Sequence, residues 1–304
     1  MSHRRPRRRL LAAAPVALAA VLAVPAAVFA WGEAGHRITG YSAAARLPAS
    51  MPAFFRTAGN ELAYLNPEPD RWRDRAERSR DPALDGATAP DHFIDMEMAP
   101  PSVLMHALDA PDRYAYLDTL AAAHIKGSAM GLLPFRILEM SQRLREDFRL
   151  WRAAPDSATR AYIQHRVIDD AGVLGHYVAD GSNPAHTTVE YNGWVGPNPN
   201  HYATDKRFHS RFESAYVQTH ISAADVIARV DPAARVLPDL RAAILEYLSA
   251  ANAQVEHMYE LDKANPFDAQ TTSPEDKVFV VSRLAAGAQM LRDIWWTAWV
   301  TSEP

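Results

Sequence analysis

Two histidine–carboxylate pairs are the residues of this sequence best suited to chemistry. His176 and Asp180 stand four residues apart, as do His209 and Glu213. On a helix this spacing puts both side chains on one face, where an imidazole and a carboxylate can reach a common metal ion. A single pair of this kind more often forms a surface ion pair. The two pairs together therefore support a metal-site hypothesis better than either one alone.

Further residues of the same types surround these pairs. His186 follows Asp180 by six residues and comes just after Asn183-Pro184, so that three ligand-type side chains crowd one predicted helix end. Three more lie upstream: His36 in Trp31-Gly32-Glu33-Ala34-Gly35-His36, Asp70 in Pro69-Asp70-Arg71-Trp72, and His92 in Asp91-His92-Phe93-Ile94-Asp95. The chain has no cysteine, and zinc prefers neutral His and carboxylate ligands where thiols are absent. The sequence therefore predicts a metal site of His and acidic side chains.

The elements that position these residues are predicted to be helices. Apolar residues recur at helical spacing through almost all of the chain after residue 30, and no stretch alternates with period two. The predicted helices cover 35–46, 52–65, 112–124, 134–153, 156–180, 204–219, 237–261 and 273–300. With 48% apolar residues and no internal repeat or linker, residues 31–304 are expected to form one compact all-α domain.

Two segments interrupt the helical pattern and are predicted to be loops. Residues 66–102 are rich in Pro, Arg and Asp, and residues 181–201 contain Asn183-Pro184 and the run Tyr191-Asn192-Gly193-Trp194. Loops of this length are usually functional or disordered. Because both contain histidine and the second contains aromatic residues, we expect ordered loops that form the site.

The first thirty residues differ from the rest of the chain. Five arginines precede the apolar run 10–29, and no acidic residue occurs there. This pattern predicts a secretory signal, residues 1–30, whose removal makes Trp31 the first residue; an uncleaved anchor helix is the alternative. We therefore expect an exported protein, in the periplasm or outside the cell, by either the general or the twin-arginine route.

The charge balance of the chain excludes one class of partner. The whole chain has 32 basic and 36 acidic side chains; without the five leader arginines it has 27 and 36, a formal charge of −9. Proteins that coat nucleic acid by neutralising many phosphates normally carry a basic face. The charge argues against such a protein, whereas bound divalent ions could still create a local phosphate site.

The ordered set of candidate ligands resembles one known superfamily. It comprises the zinc-dependent phospholipases C of bacteria and the zinc-dependent single-strand nucleases of fungi and plants. The matching residues are a Trp at the mature N-terminus, His, Asp, His, His-x3-Asp-x5-His and His-x3-Glu, from Trp31 through about Glu213. The resemblance implies an all-α fold around three zinc ions, one of them bound by the amino and carbonyl groups of the N-terminal Trp.

The resemblance also assigns ligands. It implies one zinc held by Asp70, His92, His176 and Asp180, a second held by His186, His209 and Glu213, and a third held by the Trp31 backbone and His36, with Asp180 bridging the third to the first. Asp74 is the rival of Asp70. Because the α-amino group of Trp31 is free only after leader cleavage, cleavage and metal assembly would be coupled.

The implied reaction is hydrolysis of a phosphodiester. Three dications exceed the charge of the carboxylates of Asp70, Asp180 and Glu213, which leaves a cationic pocket on an acidic protein. Ions in such sites activate a hydroxide for in-line attack and neutralise the leaving oxygen. Asp70 would also act as a proton acceptor. Arg71, Arg73 and Arg75 could reach a substrate phosphate, although a solvated face is an alternative for them.

The sequence favours phospholipid over nucleic acid as the substrate. Glu213 as the last ligand resembles the phospholipase branch, whereas the short spacing from Trp31 to His36 resembles the nuclease branch. Arg71 stands where the phospholipases carry a choline-binding aromatic residue. The candidate substrate contacts are Phe93, Asp95, Tyr191 and Trp194, and ordinary loop packing is an equal alternative for the last two.

The expected partners follow from this assignment. The substrate is a phospholipid or single-stranded nucleic acid, and contact with a membrane surface would be transient. We expect a monomer with no transmembrane segment after residue 30. A third hypothesis is an exported helical protein whose zinc has no catalytic role. Structural zinc sites are closed, whereas the expected ligand set leaves positions open for water.

Overall fold

The structure is a computed structural model that describes residues 31–303. The predicted secretory signal, residues 1–30, lies outside the described residues. Within 31–303 every regular element is a helix and no strand occurs, which confirms the all-α prediction. None of the described helices is both long and apolar enough to cross a membrane.

The helices differ greatly in length. The α-helices are α1 (Gly32–Ala44), α2 (Ala53–Thr57), α3 (Gly59–Leu65), α4 (Glu68–Arg71), α5 (Arg75–Arg80), α6 (Ala83–Thr88), α7 (Pro101–Leu108), α8 (Arg113–Ala122), α9 (Gly127–Met130), α10 (Leu133–Ala153), α11 (Ser157–Ser182), α12 (Phe208–Ser210), α13 (Val217–His220), α14 (Ala223–Ile227), α15 (Leu240–Asn252), α16 (Val255–Ala264) and α17 (Pro274–Val300). A π-helical segment, Arg211–Tyr216, joins α12 to α13, and 3₁₀ turns cover Ala89–His92, Met96–Met98 and Pro184–His186.

The three longest helices, α10, α11 and α17, pack on one another and form the centre of the molecule. Their starts follow from the local sequence. Asp156 caps α11 by accepting a hydrogen bond from the Thr159 N–H at 2.8 Å. Ser273 and Asp276 form a reciprocal capping box at the start of α17. Around these helices the apolar side chains form a single hydrophobic core.

The sequence-based helix boundaries hold for the long helices and fail at three places. The predicted helix 204–219 starts only at Phe208 and is π-helical over Arg211–Tyr216. The predicted helix 52–65 is divided at Ala58 into α2 and α3. The predicted helix 237–261 starts only at Leu240, after the Asp239 cap, and is divided into α15 and α16 by two residues after Asn252. Apolar periodicity continues across both interruptions, so it could not reveal them.

The segment 66–102 is not the long loop that the sequence predicted. It folds into short helices, α4 to α6, two 3₁₀ turns and the start of α7. Two of its prolines, Pro69 and Pro101, occur in the first turns of α4 and α7, where a missing N–H leaves no hydrogen bond unmade. The second segment, 181–201, is largely irregular, as predicted, apart from the end of α11 and one 3₁₀ turn.

Candidate metal centre

Both histidine–carboxylate pairs have the predicted geometry. On α11, His176 Nε2 lies 3.3 Å from Asp180 Oδ2. His209 Nε2 lies 2.7 Å from Glu213 Oε2, with His209 on α12 and Glu213 in the π-helical segment. All four side chains are buried. Burial separates them from the exposed ion pairs that this spacing commonly produces.

The pairs belong to three buried clusters that could hold metal ions. In each cluster the donor atoms lie within 4.8 Å of one another. The clusters are His36, His176 and Asp180; Asp70, His92 and His176; and His186, His209 and Glu213. All eight side chains that the sequence proposed as ligands are therefore in a cluster, and the first two clusters share His176.

Asp180 connects the clusters. Its Oδ1 lies 3.5 Å from His36 Nε2, and its Oδ2 lies 3.2 Å from His92 Nδ1. Its two carboxylate oxygens thus face different histidines, on α1 and on the 3₁₀ turn that ends at His92. This is the arrangement that a bridging carboxylate requires.

The structure distinguishes Asp70 from its rival Asp74. Asp70, on α4, is buried, with Oδ1 3.8 Å from His176 Nε2 and 3.9 Å from His92 Nδ1. Asp74 is exposed and caps α5, where its Oδ1 accepts hydrogen bonds from the N–H groups of Ala76 and Glu77. Asp70 therefore faces the clusters and Asp74 already has a structural role.

The spacing of the donor atoms suits zinc coordination. Tetrahedral ligands bound at about 2.0–2.1 Å lie about 3.3 Å from one another. The nitrogen–oxygen distances within the clusters scatter around that value, from 2.7 Å for His209 and Glu213 to 3.9 Å for His92 and Asp70. The residues present therefore fit a group of His- and carboxylate-bound cations.

Several of the buried nitrogen and oxygen atoms that could coordinate a metal make no hydrogen bond. They include both carboxylate oxygens of Asp70, Oδ1 of Asp180 and Nε2 of His186. Buried polar atoms are nearly always paired, because removing them from water without a partner is costly. A bound cation would supply the missing partner for each of these atoms.

Carbonyl groups fix the orientation of three of the candidate ligand histidines. The Nδ1 atoms of His176, His186 and His209 donate to the main-chain oxygens of Asn66, His92 and Tyr191 at 3.0, 2.6 and 3.1 Å. A carbonyl oxygen only accepts, so Nδ1 carries the proton and the Nε2 lone pair is available to the cluster. Metal-binding histidines typically have such an outer hydrogen bond.

Electrostatics of the clusters also favour a cation. Burial raises the pKa of Asp70 to about 8, and burial together with the charges of Asp70 and Glu213 raises the pKa of Asp180. Burial lowers the pKa of His92 and His176, which favours the neutral imidazole that binds metals. Closely spaced buried carboxylates and neutral imidazoles form a site that a divalent ion would stabilise.

The third cluster has a different balance of charge. Burial alone would raise the pKa of Glu213, but His209 and His186 beside it hold that pKa down at about 2. Burial opposes the charge on His209, and Glu213 nevertheless raises the His209 pKa. Asn183 also donates a hydrogen bond to Glu213 Oε1. Charge attraction between Glu213 and the two histidines therefore contributes to holding this cluster together.

Trp31 lies at the N-terminal end of α1, next to the segment that carries Glu213. Its indole is fully buried, contacts Phe212 at 5.4 Å and donates from Nε1 to the Ala179 carbonyl at 2.8 Å. A Cβ on Gly32 would come within 3.2 Å of the Glu213 carbonyl oxygen. The structure thus places Trp31 against both α11 and the π-helical segment.

A pocket of about 450 Å³ opens onto two of the three clusters, the one with His92 and the one with His186 and His209. Its lining includes the candidate ligands His92, His186 and His209. It also includes three of the four residues that the sequence proposed as substrate contacts, Phe93, Asp95 and Tyr191. Arg73 and Asn192 also line it. Burial, and secondarily the nearby Glu97, raises the pKa of Asp95 to about 7.

Trp194, the fourth proposed contact, is not among the lining residues of the pocket. Its ring packs on Tyr202 at 4.8 Å and on Tyr259 at 5.3 Å, and its Nε1 donates to the Pro197 carbonyl. Tyr259 in turn donates to the Glu190 carbonyl. This aromatic cluster anchors the loop that presents Tyr191, which corresponds to the packing alternative for Trp194.

Asn66 and Asn183 are contacts of the site that the sequence reasoning missed. Asn66 accepts hydrogen bonds from His36 and His176, and Asn183 donates to Glu213. Neither belongs to a ligand-type residue class. The only signal for Asn183 was its place in the helix-ending Asn183-Pro184, and Asn66 had none.

Comparison with known proteins provides no family assignment: no family model, no curated protein and no solved structure matches the chain. The three clusters could bind metal ions, and this conclusion comes from the positions of their donor atoms.

Proposed function

We propose that the protein is an exported, zinc-dependent phosphodiester hydrolase. The observation that carries the proposal is the opening of a pocket onto two of the three clusters, with His92, His186 and His209 in its lining. A structural zinc site is closed, whereas a catalytic site keeps a position for water or substrate. Access from the pocket therefore supports the enzyme over a non-catalytic zinc protein.

The lining of the pocket supports a phosphate-containing substrate. Arg73 lines the pocket together with the candidate ligand histidines, and a guanidinium group matches the geometry of phosphate oxygens. Zinc ions bound in the clusters would polarise the phosphoryl group and lower the pKa of a coordinated water. Asp70, buried with both carboxylate oxygens lacking a hydrogen bond, would accept the proton from the attacking water.

Hydrolysis of phospholipids in the manner of a phospholipase C is the first candidate. Tyr191 lines the pocket and is 49% exposed, and Val195 of the same loop is 57% exposed. These side chains could contact acyl chains at a membrane surface while the head group enters the pocket. Phe93 and Tyr191 with the Asp95 carboxyl would suit a cationic head group.

Single-strand nuclease activity is the second candidate, and one observation favours it. Phe93, Asp95 and Arg73 line the same pocket. A nucleobase could stack on Phe93 while Asp95 accepts from its exocyclic amine and Arg73 contacts the phosphate. Arg73 is less suited to a cationic head group, because the two positive charges would repel each other.

A paired assay tests both candidates. Protein that begins at Trp31 and has been loaded with zinc is given phosphatidylcholine vesicles in one arm, and single-stranded DNA or RNA in the other, with and without chelator. Release of phosphocholine alone supports the phospholipase, and cleavage of nucleic acid alone supports the nuclease. Bound zinc without turnover of either substrate contradicts the hydrolase and leaves the non-catalytic zinc protein.

The Asp180→Asn variant is the matched control for this assay. Asp180 contacts His36, His92 and His176, so loss of its negative charge should remove metal from the first two clusters and abolish turnover. Full zinc content in this variant would contradict the assignment of Asp180 as a metal ligand.

Sequencing the N-terminus of the native protein tests export, since cleavage of the leader should leave Trp31 as the first residue.

A further inference from the structure

One buried residue outside the clusters contacts two of their histidines. Asn66 follows α3 and is fully buried. Its side-chain Oδ1 lies 3.0 Å from His36 Nδ1, and its main-chain oxygen lies 3.0 Å from His176 Nδ1. The two histidines come from different helices, His36 from α1 and His176 from α11. Asn66 therefore links α1 and α11 through the Nδ1 atoms of these two histidines.

These two hydrogen bonds determine which nitrogen faces the clusters. Both acceptors on Asn66 are carbonyl oxygens, so the proton is on Nδ1 of each imidazole and the lone pair is on Nε2. The His36 Nε2 lies 3.5 Å from Asp180 Oδ1, and the His176 Nε2 lies 3.3 Å from Asp180 Oδ2. The two rings stack with their centroids 4.0 Å apart and their planes at 14°.

Glycines on both helices make room for the Asn66 amide. A Cβ on Gly175 would come within 2.2 Å of Asn66 Nδ2, and a Cβ on Gly40 within 3.0 Å. The Nδ2 atom itself makes no hydrogen bond. The Asn66 amide therefore serves as an acceptor of fixed position, held between two helices at places where no side chain intervenes.

We infer that Asn66 is a positioning residue of the metal centre: it holds His36 and His176 in the tautomer and orientation that ligate, and so couples the two clusters that contain them. The inference rests on the metal centre of the proposed function, and not on the substrate or the reaction. Outer hydrogen bonds of this kind typically change metal affinity by about 10–100-fold when they are removed.

The test compares Asn66→Ala, Asn66→Asp and Gly175→Ala with the wild type. Asn66→Ala removes only the acceptor of His36, and Asn66→Asp keeps an acceptor in nearly the same shape. Gly175→Ala displaces the side-chain amide that accepts from His36 and adds a clash on α11 directly before His176. Gly86→Ala, whose Cβ would meet nothing within 4 Å, is the control. Zinc content and affinity are measured, and nitrogen-15 NMR reports the Nδ1 proton of each histidine.

We expect Asn66→Ala to lose the His36 Nδ1–H signal and to bind the zinc of the His36 cluster about 10–100-fold more weakly. Gly175→Ala should perturb the signals of both His36 and His176, and Asn66→Asp should retain nearly wild-type zinc affinity. The His186, His209 and Glu213 cluster should keep its metal in all of these variants. A purely structural role for Asn66 would not separate Ala from Asp in this way.

Two results would overturn the inference. The first is an Asn66→Ala protein with wild-type zinc affinity and an unchanged His36 signal. The second is a folded Asn66→Asp protein that loses zinc, and this variant decides the matter if Asn66→Ala does not fold. Failure of the proposed function can be distinguished from failure of this inference. If the wild type binds zinc but hydrolyses neither substrate, zinc affinity and the histidine NMR signals can still be compared among the variants.

Discussion

At the scale of single residues, the candidate centre depends on buried groups that have few partners of their own. Asp70 and Asp180 are nearly or fully inaccessible to water, yet three of their four carboxylate oxygens make no hydrogen bond. Such groups destabilise a fold unless a cation is bound. Metal should therefore stabilise the protein, since a ligand that binds only the folded state shifts unfolding by mass action.

Asp70 and Asp74 give a matched pair of substitutions. Asp70→Ala should lower zinc content, because Asp70 faces His92 and His176. Asp74→Ala should leave zinc content unchanged and reduce the free energy of unfolding by about 1 kcal/mol, the usual loss for a helix cap. Metal analysis and urea unfolding of the two variants check this. Loss of zinc from Asp74→Ala but not from Asp70→Ala would reverse the assignment.

Asp95 should make stability depend on pH. Its pKa is raised from 3.8 to about 7, chiefly by burial, so this carboxyl contributes stability that is complete below pH 3.8 and lost as pH rises through 7. Asp95→Asn does not titrate. Relative to wild type it should therefore gain stability as pH rises from 4 to 8, by about 2 kcal/mol for a group that is partly exposed.

Urea unfolding across that pH range measures the difference between Asp95→Asn and wild type. Glu97→Gln is the control, because removing the neighbouring charge should lower the Asp95 pKa and move the transition to lower pH. A difference between Asp95→Asn and wild type that stays constant from pH 4 to 8 contradicts the raised pKa.

At the scale of elements, short connections position the ligands as much as the long helices do. His92 ends a 3₁₀ turn, His186 ends another, and Glu213 lies in a π-helical segment. Single π-helical turns are rare and often occur at functional sites. In each case the local hydrogen bonding differs from that of a regular α-helix. The side chains of these three residues lie near the C-terminal end of α11.

Gly131 anchors the connection that follows His92. It has φ +94°, and a Cβ there would come within 2.0 Å of the Phe93 carbonyl oxygen. On either side of it, Met130 O accepts from Asp95 N and Leu133 N donates to Phe93 O. The turn around Gly131 therefore holds the segment that carries Phe93 and Asp95 against the core.

Gly131→Ala should reduce the free energy of unfolding by about 3 kcal/mol, because it combines a left-handed backbone with a main-chain clash. It should also weaken zinc binding through His92. Gly86→Ala on α6 is the matched control and should be neutral or slightly stabilising, since its Cβ meets nothing. Thermal unfolding and metal analysis test both, and an unaffected Gly131→Ala would contradict the packing described for this turn.

At the scale of the whole molecule, the centre joins residues from Trp31 to Glu213 around the end of α11. Long-range packing of α1, α3 and the π-helical segment brings these residues to one place. The arrangement puts the N-terminal end of α1 next to the third cluster.

An extra N-terminal residue should impair metal binding. A protein that begins at Trp31 should bind more zinc than one that begins with an added Met. The added residue converts the α-amino group of Trp31 into a peptide bond and crowds the buried Trp31 side chain. Metal analysis and the paired hydrolysis assay compare the two forms. Equal zinc content and turnover would argue against a role for the Trp31 amino group.

The sequence by itself determined the helical class and the residue types that make up the candidate metal centre. Helical apolar spacing, good caps at Asp156 and Ser273, and the two pairs spaced by four residues are local patterns, and the structure retains them. The eight proposed ligand side chains also occur together. Those patterns were informative because helix geometry and metal preference depend on residue type and spacing.

Only the tertiary structure decided how the ligands are shared and supported. That Asp70 rather than Asp74 faces the clusters, that His176 belongs to two of them and that Asn66 holds two histidines all depend on contacts between segments distant in sequence. Trp194 packs on aromatic residues for the same reason. Burial and long-range packing choose among chemically similar side chains, and no local pattern in the sequence encodes that choice.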